Sequence, residues 1–165
     1  MSQATESLRG PAAGAPAFAE PEAARPPYLL ALLAAALVFA LYAATLAPST
    51  AFWDTSEYIT TAHILGIPHP PGNPLFVLFA RAWDLLLSPT GLATAIRINL
   101  FSSVMSAGTA FFWYLVVWRI LSFFSPDERV RRIGAAVSVL ISATAYTVWN
   151  QSNVNEKVYT LSLFT

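Results

Sequence analysis

The chain has 165 residues, 56% of them hydrophobic and only 11% charged, with a mean hydropathy of +0.55. Soluble domains carry about 25% charged residues, so this composition argues against a disordered protein, a nucleic-acid binder and an ordinary soluble enzyme. Nine basic and nine acidic side chains leave no net field for a polyanion, and the absence of Cys excludes a disulfide scaffold, a thiolate zinc site and a Cys nucleophile.

Residues 1–27 are rich in Ala, Pro and Gly and read as a disordered cytoplasmic tail; residues 28–165 read as a separate membrane domain. Tyr28–Leu46 carries no charge. As a helix it would reach about 28 Å, close to the hydrocarbon thickness of about 30 Å. Ala36, Ala40 and Ala44 would offer another helix a small-residue face. A cleaved signal peptide is the alternative, with Ser49 and Ala51 at the cleavage site, but the run is long and the tail before it acidic.

Between 47 and 97 the chain is harder to place. Pro74–Leu87 is apolar enough to suggest a span, yet Arg81 and Asp84 lie within it and suit a pair on one helix face. Each costs about 2.5–3.5 kcal/mol at mid-bilayer. If this segment does not cross, Arg119, Arg129, Arg131 and Arg132 share a side with Arg9 and Arg25, as the positive-inside rule prefers. It is therefore expected to be an interfacial or re-entrant helix of an external loop.

Ile98–Trp118 is uncharged and would reach about 31 Å. Ser102, Ser106 and Ala110 form a small-residue ladder, and Trp113, Tyr114 and Trp118 suit an aromatic belt. Ile133 to about residue 150 makes the third span, with Gly134, Ser138 and Ser142 on one face. The expected architecture is all-α and polytopic, with spans at about 28–46, 98–118 and 133–150 and an external loop over 47–97. The N-terminus and residues 119–132 are expected in the cytoplasm.

The external loop concentrates Asp54, Glu57, His63 and His69. Asp54 and Glu57 would face one way on a helix. They also match a capping box, with Asp54 as N-cap and Glu57 three residues on. The IPHPPGNPL stretch is stiff and non-helical, and would hold His69 with little conformational freedom. By ligand type the four residues admit a divalent metal, though no HExxH-like spacing is present. Arg97 could neutralise a phosphate or anchor its helix at the headgroups. P-loop, GxGxxG, GxSxG and kinase signatures are absent from the sequence.

WDTSEYITTAHILGIPHPPGNPLF, RINLFSSVMSA and NEKVYTLSLF together resemble the membrane family called domain of unknown function 2723, related to protein O-mannosyltransferases and of GT-C glycosyltransferase architecture. The resemblance runs from about residue 28 to the end, and HPPG is its most specific element. The last stretch departs from the family by placing Lys157 between Glu156 and Val158. The resemblance implies the N-terminal portion of a membrane enzyme that moves a sugar from a polyprenyl-phosphate donor to a hydroxyl acceptor on protein or glycan. It places Asp54 as general base and Glu57 as the second acidic position. His69, Pro70, Pro71 and Gly72 would shape the substrate site, and Glu156 and Tyr159 would contribute to it. Arg97 would then face the leaving phosphate. The chain is expected to be a fragment, because it stops at Thr165 within an apolar stretch. Its expected partners are the bilayer, the lipid-linked donor and the acceptor, with no nucleic acid, in a bacterial inner membrane. A transporter or a noncatalytic truncated membrane protein are the alternative readings.

Overall fold

The computed structural model describes residues 25–50, 54–70, 72–153 and 164. Among these the regular structure is helical: α1 (Tyr28–Ala44), α2 (Thr55–Ile64), α3 (Pro74–Leu87), α4 (Thr94–Leu121), α5 (Glu128–Thr144) and α6 (Tyr146–Asn153), with one 3₁₀ turn at Ser88–Thr90. This bears out the all-α expectation, and α3 begins and ends where the apolar run does.

α4 organises the molecule. Its 28 residues extend about 42 Å, and its two halves serve two cores. Toward its C-terminus Ala110, Tyr114 and Trp118 pack with Ala31, Val38 and Tyr42 of α1 and Ala135, Val139 and Ala143 of α5. Toward its N-terminus Ile98 and Phe101 pack with Tyr58, Ile59 and Ala62 of α2 and Phe76, Val77 and Ala80 of α3. The second core carries the loop that bears the acidic and histidine residues.

Several boundaries differ from expectation. α4 starts at Thr94, so Arg97 lies inside its first turn rather than ahead of it. On α1 the packed face is Ala31, Ala35, Val38 and Tyr42, while Ala36, Ala40 and Ala44 are exposed. Tyr42 sets this orientation by reaching across the bundle. The small-residue ladder of α4 is buried as expected, at Ser102, Ser106 and Ala110. Tyr114 and Trp118 are buried as well, bonding Arg132 O and Glu128 Oε1 across the α4–α5 turn rather than forming an exposed belt.

The third expected span is not one straight helix. It breaks at Ala145, whose backbone is extended (φ −58°, ψ 128°), and α5 and α6 meet at 66°. No Pro or Gly causes this. Tyr42 Oη donates to Ala143 O (2.9 Å), a carbonyl released at the break, and Ser103 Oγ donates to Ser152 O (2.9 Å) on α6. The α1 side chain of Tyr42 satisfies a carbonyl of the interrupted ladder, which lets the helix bend without a breaker residue, while the Ser103 bond holds the far end of α6 against α4. Among the described residues, one helix, α4, is long and apolar enough to cross a membrane, or two if the bent pair counts as one span. α1 is apolar but 17 residues long.

Candidate functional site

Asp54 is the N-cap residue just before α2; its carbonyl accepts from Tyr58 N (3.0 Å), but its side chain makes no capping bond. The expected capping box does not form. Glu57 turns instead to the HPPG loop: its Oε1 accepts from His69 N (2.6 Å) and its Oε2 lies 2.7 Å from His69 Nδ1. On the other side of the ring, His69 Nε2 lies 3.8 Å from Asp54 Oδ2. One imidazole thus sits between two carboxylates, at a partly open site where the side chains of Asp54, Glu57 and His69 are 33%, 38% and 47% exposed. The hydrogen bonds from the His69 ring and then from its backbone N–H hold the Glu57 carboxyl below its usual range.

The loop reaches this position through local backbone chemistry. α2 ends with Leu65 in the left-handed region, and Gly66 N returns to Thr61 O (2.8 Å). Pro68 then prevents the helix from resuming. Gly72 N closes a turn onto His69 O (3.0 Å) with φ +81°, a conformation that suits glycine. Asn73, also at positive φ, donates to Tyr58 Oη (2.8 Å), and the Tyr58 ring meets His69 and Phe76 edge-on. Pro70 is exposed beside His69. Pro71, Glu156 and Tyr159 lie outside the described residues.

His63 does not join this group. Its Nδ1 pairs with Asp84 Oδ2 at 2.7 Å, so the four-residue set considered for a metal is split. Ligand atoms of Asp54, Glu57 and His69 do lie within 4.8 Å of one another. A cation there would have to displace the Glu57–His69 hydrogen bond.

Asp84 is the centre of a second arrangement that the sequence revealed only in part. The expected pairing with Arg81 is present (3.2 Å), and Arg81 Nη1 also donates to His63 O. The stronger partner is Arg97, whose Nε donates to Asp84 Oδ1 at 2.6 Å. Arg97 Nη1 and Nη2 go to Leu92 O and Thr94 Oγ1. Its guanidinium is therefore turned inward and makes none of its bonds with Asp54, Glu57 or His69. Neither a headgroup anchor nor an open phosphate partner describes it in this arrangement. Burial pushes the Asp84 carboxyl up, but the hydrogen bonds from Arg97 and then His63 outweigh it and hold the group below the usual range.

A helical bundle with an acid–imidazole group formed by the N-terminal end of α2 and the α2–α3 loop is the class that the geometry defines. Residues 54–165 match the family described as Protein O-mannosyl-transferase TMEM260 N-terminal domain, and the chain belongs to that family. The match opens at Asp54, the first residue of the site. Protein O-mannosyl-transferase TMEM260 of Mus musculus is 40% identical over 85 residues, covering 52% of this chain and 12% of the mouse protein. The Dictyostelium discoideum protein of the same name is 33% identical over 78 residues, covering 47% of this chain and 10% of the relative. The matched region thus spans about a tenth of each relative's length. No solved structure matches the chain. The expected relation to protein O-mannosyltransferases holds, whereas these relatives lend no support to a bacterial inner membrane.

Proposed function

We propose that the chain is the N-terminal portion of a membrane glycosyltransferase that moves a sugar from a polyprenyl-phosphate donor to a hydroxyl on protein or glycan. The names of its relatives point to mannose as the sugar and protein as the acceptor. The observation that carries the reading is the convergence of Asp54, Glu57 and His69 at one partly open site. In this reading the Asp54 carboxylate takes the acceptor proton as the hydroxyl oxygen bonds to the anomeric carbon. The bond from that carbon to the phosphate oxygen breaks, and the phosphate departs with its electron pair. His69, Pro70 and Gly72 would shape the acceptor or donor site, and the family resemblance assigns Pro71, Glu156 and Tyr159 to the same site.

The membrane arrangement belongs to the same proposal. α1, α4 and the bent α5–α6 pair serve as three crossings, with residues 47–97 outside and the tail and residues 119–132 in the cytoplasm. α3 fits an interfacial helix, since Phe76, Val77 and Ala80 pack inward while Leu75, Leu78, Phe79, Leu85 and Leu86 are exposed. The test is a transfer assay on the full-length protein with polyprenyl-phosphate mannose and a hydroxyl-bearing peptide. Asp54→Asn should lower the rate by at least about 100-fold. Transfer at the wild-type rate would remove Asp54 from the chemistry.

A further inference from the structure

Glu57 grips a single residue with both oxygens, at His69 N (2.6 Å) and His69 Nδ1 (2.7 Å). An ionised carboxylate can only accept hydrogen bonds. Nδ1 must therefore carry a proton, and in the neutral ring the lone pair is on Nε2. That nitrogen is the one turned toward Asp54 Oδ2, at 3.8 Å. This separation is a step too long for a direct hydrogen bond, and suits one water or a small side-chain adjustment. Among the described residues, the charged groups shown facing the ring are Asp54, just before α2, and Glu57 within it; Tyr58 adds a ring edge at 6.0 Å between centroids.

We propose that Glu57 and His69 form a proton-holding dyad behind Asp54, with Glu57 fixing the imidazole tautomer and His69 Nε2 relieving Asp54 of the acceptor's proton. The proposal rests on the reading of Asp54 as base. The acceptor proton moves first to Asp54 Oδ2. It then passes to His69 Nε2, Asp54 returns to its carboxylate form, and the imidazolium stands between two anions that stabilise it. The proton is released from Nε2 to solvent, which the exposure of the ring permits. The logic is that of a nucleophile–histidine–carboxylate row, in which the outer carboxylate orients the ring and stabilises its charged form. Glu57 is then a positioning residue, acting through His69.

The chain contains two histidines, so imidazole ¹⁵N NMR of the full 165-residue chain in micelles is tractable, with His63→Gln assigning the signals. At alkaline pH the His69 ring should show a protonated Nδ1 and an unprotonated Nε2. Glu57→Ala should move it toward the Nε2–H form. In the full-length enzyme His69→Gln keeps an amide donor toward Glu57 but has no basic nitrogen. It should lower kcat by about 100-fold at little change in KM and remove one limb of the pH–rate profile. An unprotonated Nδ1 in the wild-type chain, or His69→Gln with wild-type kcat and pH profile, would overturn the dyad. Loss of the base reading shows separately, as full transfer by Asp54→Asn.

Discussion

The carboxylate of Asp84 on α3 and the guanidinium of Arg97 on α4 meet at 2.6 Å, with 2% and 10% of their side chains exposed. Because His63 on α2 bonds the same carboxylate, one buried anion ties three helices together. Each of the three Arg97 guanidinium nitrogens has a hydrogen-bond partner. A buried pair of this kind is costly to break from one side, because the remaining charge stays desolvated.

Asp84→Asn should therefore destabilise the chain at neutral pH by roughly 3–5 kcal/mol, more than any single change at the exposed site. The pH dependence has a definite sign. The Asp84 pKa is lower folded than unfolded, so its contribution is present above the ordinary carboxylate pKa and is lost as pH falls through the folded value. Thermal melts in micelles should show the wild-type chain losing stability on acidification below about pH 4. The Asp84→Asn variant should show a smaller loss. Equal acid sensitivity in the two proteins would refute the assignment.

Asp54 occupies the N-cap position without capping. Loss of a working cap costs about 0.5–2 kcal/mol, so Asp54→Ala should fall below that range. Asp54→Ala and Asp54→Asn should melt within about 0.5 kcal/mol of wild type, the usual span for surface changes. A clear destabilisation by Ala that Asn rescues would mean that the side chain caps α2 in the membrane.

Gly72 sits at φ +81°, and a Cβ added there would find no atom nearer than 3.9 Å. The cost of Gly72→Ala is then conformational, about 1–2 kcal/mol for a side chain in the left-handed region. The strain falls on the turn closed by Gly72 N and His69 O. Transfer by the full-length variant should drop while membrane insertion is unchanged, since insertion depends on the apolar helices. Unaltered transfer would show that the turn does not position His69.

The sequence has no native Cys, which makes single-cysteine labelling clean. Ser49→Cys and Ser88→Cys should react with an impermeant thiol reagent from one side of the membrane, and Phe124→Cys from the other. Labelling of Ser49→Cys and Ser88→Cys from opposite sides would make α3 a crossing and overturn the proposed topology.

The apolar runs were enough to place most helices, because helix formation in an apolar chain follows from local hydrophobicity and the spacing of breakers. α3 matches its run end to end, and Pro68, Gly72 and Pro74 mark the loop before it. The residue types of the site were legible too, since Asp54, Glu57 and His69 lie close together in the chain. Their pairing was not. Glu57 had two destinations, its own helix terminus or a histidine twelve residues on, and the fold of the loop over α2 decides for the histidine. Arg97 looked like an available cation because its partner is on another helix; packing of α3 against α4 brings Asp84 to it. The bend at Ala145 carries no local signal at all. There Tyr42, distant in sequence, supplies to Ala143 O a hydrogen bond that a continuous helix would have made for itself, and Ser103 ties the end of α6 to α4.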